Sequence, residues 1–144
     1  MNLDPKLFEF LKKLENNNNR VWFKKNKDQF DGFNQNIKQY FQSIFDNHKG
    51  DFNWNKCKVF RIYRDVRFSK NKLPYKTHFG ISFHREKPKF RGGFYIHLDP
   101  RNSFIAAGFW NPNKDDLLRL RKEIEVDHEY FRAQIDSKKV KTLW

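Results

Sequence analysis

The stretch Thr77-His-Phe-Gly-Ile-Ser-Phe-His84 decides how this chain is read. Thr77, Phe79, Ile81 and Phe83 alternate with His78, Gly80, Ser82 and His84. That period of two predicts a strand with one apolar and one polar face, and it puts both histidines on the polar one. The same period lies on either side. From Lys56 onward, Lys58, Phe60, Ile62 and Arg64 alternate with Val59, Arg61 and Tyr63. Downstream, Phe94, Ile96 and Leu98 alternate with Tyr95, His97 and Asp99. Asp99-Pro-Arg-Asn102 is a turn sequence, because Pro suits its second position and Asn tolerates a left-handed backbone. Ser103 to Trp110 then returns as the partner strand. Residues 66–76 form a basic loop around Pro74, and Glu86 to Arg91 a turn-like connection.

Outside this region the period lengthens. Leu7, Leu11 and Leu14 recur at helical spacing behind Asp4-Pro5, a capping residue followed by a proline suited to the first turn. Asn16 to Asn19 end that helix. A second helical stretch is expected from about Arg20 to Phe45, with Gly32 as a candidate break. Asn113 can cap a last helix carrying Asp115 and Asp116 in its first turn and Leu117, Leu120 and Ile124 on one stripe. The expectation is an α+β fold with N-terminal helices, an antiparallel sheet from the middle of the chain and one C-terminal helix. All 144 residues fit a single domain, 1–144.

Such a chain can bury roughly 68–70% of its unfolded surface, and 17 Phe and 4 Trp supply the apolar area. Cys57 is the sole cysteine, so neither an internal disulfide nor a cysteine-based metal site can form. The first fifteen residues lack the apolar run of a signal peptide, and no stretch is long enough to span a membrane. A cytoplasmic location is the expectation.

The formal charge of +13 is focused. Residues 56–91 carry twelve Lys or Arg against two acids, whereas residues 1–55 carry nine against seven and residues 92–144 nine against eight. A compositional bias would raise the whole chain, so the middle segment calls for an anionic partner. Arg61, Arg64 and Arg67 crowd one strand and its exit, and arginine forks suit phosphate or carboxylate. With Lys72, Tyr75 and Lys76 they form the candidate ligand-binding set. Asp65 reads either as an ion-pair partner that orients an arginine or as a base. A carboxylate among arginines should have a lowered pKa, so proton transfer would fall to His78. His78 and Asp65 are thus the candidate catalytic pair. His78, His84 and His97 lack tight ligand spacing, so no metal is expected. Phosphate-cradling, dinucleotide-binding and nucleophile-elbow motifs are absent, so no cofactor is expected.

The run VFRIYRDVRFSKNKLPYKTHFG (residues 59–80), the later GGFYIHLDPRNSFIAAGFW (residues 92–110) and the early NNNRVWF (residues 17–23) resemble the family catalogued as domain of unknown function 2461. The resemblance covers about residues 7–125. It implies a soluble α+β domain and no particular activity. It carries over Asn17, Asn18, Arg20, Trp22, Phe23, Arg61, Arg64, Asp65, Arg67, Phe68, Lys72, Pro74, Tyr75, Lys76, Thr77, His78, Asn102, Ser103, Phe104 and Trp110 as motif positions. Asn71, Arg101 and Ala106-Ala107 depart from the pattern. The family usually continues into a further basic segment with a His-Pro dipeptide, so the resemblance leads to the expectation of a short or truncated member.

Three functions fit the cationic segment. The first is binding or turnover of a small phosphorylated or carboxylated ligand. The second is a single-stranded nucleic-acid module, since Tyr63, Phe68 and Tyr75 interleave with the cations. The third is an interaction domain for an acidic protein. No membrane partner is expected.

Overall fold

Helix α1 (Lys6–Asn16) buries Leu7, Phe10, Leu11 and Leu14, the stripe its spacing predicts. The Asp4 carboxylate accepts the Lys6 N–H at 2.9 Å, satisfying a first-turn donor. In the computed structural model, which describes residues 2–87 and 89–143, the chain forms two units, Met1–Gly108 and Phe109–Trp144.

The second helical stretch is two helices, α2 (Arg20–Lys25) and α3 (Lys27–His48). The break is at Asn26 and not at Gly32. Asn26 donates its side-chain N–H to the Trp22 carbonyl at 2.8 Å, and its backbone N–H closes α2 on Trp22 and Phe23. Gly32 lies inside α3, where the packing of Phe30, Phe33, Ile37, Phe41 and Phe45 outweighs its poor propensity.

Four strands follow: β1 (Trp54–Val59), β2 (Phe79–Arg85), β3 (Gly93–Leu98) and β4 (Phe104–Gly108), ordered β1-β2-β3-β4 and all antiparallel. The predicted strand through Arg64 ends earlier, at Val59. Phe60 still donates to the Gly80 carbonyl at 2.9 Å. The chain then leaves the sheet and pairs with itself. Arg64 donates to Pro74 at 2.9 Å, Lys76 to Ile62 at 2.8 Å, and Tyr63 bridges Tyr75. Residues 65–73 are the loop closed by this short ladder.

One face of the sheet meets the helices. Phe79, Ile81, Phe83, Ile96 and Leu98 are buried there with the apolar stripes of α1 and α3. Phe79 stacks on Phe30 at 5.7 Å, and Phe83 stacks on Trp54 at 4.4 Å. Full burial of one such side chain stabilises the fold by about 1.5–3 kcal/mol. The other face carries Lys56 and Lys58 on β1, Gly80, Ser82 and His84 on β2, Tyr95 and His97 on β3, and Phe104 and Ala106 on β4. The register sets Lys58 and Tyr95 across from Ser82, and Gly80 and Phe104 across from His97.

In the second unit Asn113 caps α4 (Lys114–Val126), accepting the Asp116 N–H at 2.8 Å. This is the expected C-terminal helix, and the chain continues into α5 (His128–Asp136), capped by Asp127, and α6 (Lys138–Leu143). No helix among the described residues is long and apolar enough to cross a membrane.

Candidate functional site

The sheet face turned away from α1 and α3 gathers the chemistry. Its floor is kept low by Gly80. A Cβ placed there would lie 2.8 Å from the Tyr95 hydroxyl oxygen and 3.2 Å from a Phe60 ring carbon, so only glycine lets these two rings close over the strand. Phe60 and Tyr95 meet edge-on with centroids 6.2 Å apart. The Lys58 ammonium stands 4.8 Å from the Phe60 centroid and the Lys76 ammonium 5.8 Å from it. Lys76 also donates to the Arg61 carbonyl at 3.0 Å. Burial, then Arg61, then Lys58 hold the Lys76 pKa below the usual lysine range. Among the described residues, none of Lys58, Arg61, Arg64 or Lys76 is ion-paired with a carboxylate.

Beside this cluster lies a histidine pair. The His78 and His97 rings have centroids 4.1 Å apart. The Tyr95 hydroxyl is hydrogen-bonded to Nδ1 of His97 at 3.0 Å, and Phe104 stacks on the opposite ring at 4.9 Å and 13°. Asp99 follows His97 by one strand period, and ligand atoms of His78, His97 and Asp99 all lie within 4.8 Å of one another. Burial pushes the His78 pKa down to about 4, helped by His97, Lys76 and Arg64 and opposed by Asp99. At neutral pH His78 is an uncharged acceptor, and a weak one. Further along β2, His84 and Ser82 bond at 2.9 Å.

A family model described as "Conserved hypothetical protein (DUF2461)" matches residues 6–144. The chain belongs to the DUF2461 family. No curated protein and no solved structure matches it.

Of the residues that the sequence nominates in this DUF2461 chain, Lys76 links two others to one cluster: it lies close to Arg61 and to His78, and His78 in turn lies close to Arg64. The others go elsewhere. Asp65 accepts three hydrogen bonds from Arg67, two of them side chain to side chain at 3.0 and 2.7 Å, on the exposed loop. That pairing lowers its pKa, which makes it a poor base near neutrality and occupies Arg67. Lys72 donates to the Val66 and Arg67 carbonyls at 3.0 and 3.5 Å and so braces the loop. Tyr75 is buried against Phe23, stacked at 4.0 Å, and joins the core. Asn18 explains that placement: it accepts the Tyr75 N–H at 3.1 Å and donates to the Tyr75 carbonyl at 3.0 Å. Lys58, Phe60, Tyr95, His97 and Asp99 were not in the nominated set. Only the strand register, which aligns residues far apart in sequence, brings them in.

Proposed function

We propose that this protein binds a small phosphorylated or carboxylated ligand on the sheet face lined by Lys58, Arg61, Arg64 and Lys76. The observation that carries this reading is the cluster itself. Lys58 and Lys76 stand over Phe60, with Arg61 close to Lys76 and Arg64 close to His78; among the described residues none of the four is ion-paired with a carboxylate, so an anion would relieve their mutual repulsion. His78 and the Tyr95 hydroxyl supply uncharged polar contacts at the edge of the site. His78 is also the group best placed to accept a proton from a bound ligand.

The test is thermal denaturation in rising phosphate or sulfate, against chloride at matched ionic strength. Binding at about 100 times the dissociation constant would stabilise the folded state by about 2.7 kcal/mol. Arg64→Ala and Lys76→Ala should each remove most of the rise. No rise beyond chloride, or a rise that survives both substitutions, sinks the reading.

One observation favours a second reading. Phe68 is 95% exposed with the Arg67 guanidinium 5.9 Å from its centroid, and Tyr63 is exposed at the base of the same loop. Exposed rings among cations suit single-stranded nucleic acid. With about five phosphate contacts, the log–log salt slope on an oligothymidylate would be about −3.5. No binding at low salt removes this alternative.

A further inference from the structure

We infer that His78, His97 and Asp99 form a binding site for one divalent first-row transition-metal ion of the zinc class. This assignment stands on the histidine–aspartate geometry and shares only His78 with the anion reading. The three residues come from the entry to β2, from β3 and from the turn after β3, and their ligand atoms lie within 4.8 Å of one another. Ligands at about 2.0–2.2 Å from a tetrahedral ion are separated by roughly 3.4 Å. The ligand atoms must therefore close by at most about 1.4 Å to reach that spacing.

The supporting contacts leave the right atoms available. Tyr95 occupies Nδ1 of His97, so Nε2 is the nitrogen left for the metal, and Phe104 fixes the ring plane. On binding, His97 takes the tautomer whose Nδ1–H donates to the tyrosine oxygen, the outer hydrogen bond that metal-bound histidines usually make. Asp99 is held in the same manner. Its Oδ1 accepts the Arg101 and Asn102 N–H groups at 2.9 and 3.4 Å, leaving Oδ2 for the ion. The Asp99 N–H and carbonyl are both bonded to the Ser103 hydroxyl, and Arg101 of the same turn is ion-paired with Glu15 on α1.

Two imidazoles and one carboxylate suit zinc, iron(II), cobalt or nickel, whereas magnesium and calcium ask for an all-oxygen set. Three protein ligands leave at least one position open, the pattern of a reactive rather than a purely structural site.

Cobalt(II) is the probe. Untagged, chelator-stripped full chain is titrated with Co²⁺ in phosphate-free buffer, read by calorimetry and by the visible bands of low-coordinate cobalt. The expected result is one ion per chain, displaced by Zn²⁺. His78→Gln, His97→Ala and Asp99→Asn should each weaken it at least about tenfold, while His48→Gln and His84→Gln leave it intact. Should His97→Ala fail to fold, His78→Gln and Asp99→Asn decide the matter. Absence of uptake, or uptake that all three ligand variants leave unchanged, overturns the assignment. Cobalt uptake without phosphate stabilisation would sink the anion reading alone, and phosphate stabilisation without cobalt uptake would sink the metal site alone.

Discussion

Gly80→Ala isolates the feature on which the site is built. The added methyl carbon would sit 2.8 Å from the Tyr95 hydroxyl oxygen, 3.1 Å from Cε2 of the same ring and 3.2 Å from Phe60 Cδ2. Two rings must shift, and the Tyr95–His97 hydrogen bond shifts with them. Forcing one methyl into a packed position costs about 1–3 kcal/mol. Alanine also suits a strand interior better than glycine by roughly 0.5–1 kcal/mol. The net loss should therefore be about 0.5–2 kcal/mol, measured by urea denaturation with an unchanged slope. In a Tyr95→Ala background two of the three close contacts vanish, and the remaining Phe60 edge has room to turn. There the same substitution should be neutral or stabilising by up to about 1 kcal/mol. The double-mutant cycle thus has a coupling of about 0.5–3 kcal/mol. If Gly80→Ala stabilises the otherwise unaltered chain, or costs the same in both backgrounds, the packing argument is wrong.

Two more predictions concern the flanks of the site. Asn18→Ala removes both hydrogen bonds to the Tyr75 backbone, which should cost about 1–3 kcal/mol in urea denaturation and speed exchange of the Tyr75 amide. His78 should titrate near pH 4 by NMR in chelator-treated protein. Between pH 6.5 and about 4 the unfolded chain then binds a proton that the folded chain refuses, so stability is fully present above 6.5 and falls as pH drops through that window. The full shift corresponds to about 3 kcal/mol. His78 is only half-buried, and solvent screening should reduce this to about 1–2 kcal/mol. His78→Gln should flatten the window, and a profile unchanged by it would contradict the low pKa.

The strand period was legible because Phe79, Ile81 and Phe83 face one packed layer while Gly80, Ser82 and His84 face another. The helical stripe Leu7, Leu11, Leu14 was legible for the same reason. What resisted reading is set by partners remote in the chain. Tyr75 stands among cations in sequence, yet Asn18 and Phe23 draw it inward. Val59 ends β1, although alternation continues to Arg64, because residues 60–64 find a second partner in residues 74–76. Asp65 was foreseen as an arginine partner, and its arginine is the near neighbour Arg67. The histidine–aspartate cluster depends on register: His97 meets His78 because β3 aligns with β2 so that His97 lies across from Gly80. No spacing within one segment announces that meeting.

The loop from Asp65 to Leu73 is anchored at both ends independently of its own continuity. Its incoming arm is held by the Arg64–Pro74 bond and the Tyr63–Tyr75 bridge, and its outgoing arm by the Asn18 clamp. A cut within it would leave two chain pieces still seated on the same core. The loop is therefore the natural place for an insertion: a reporter domain placed at Asn71 should keep the sheet face intact, because that face does not rely on the loop's covalent integrity.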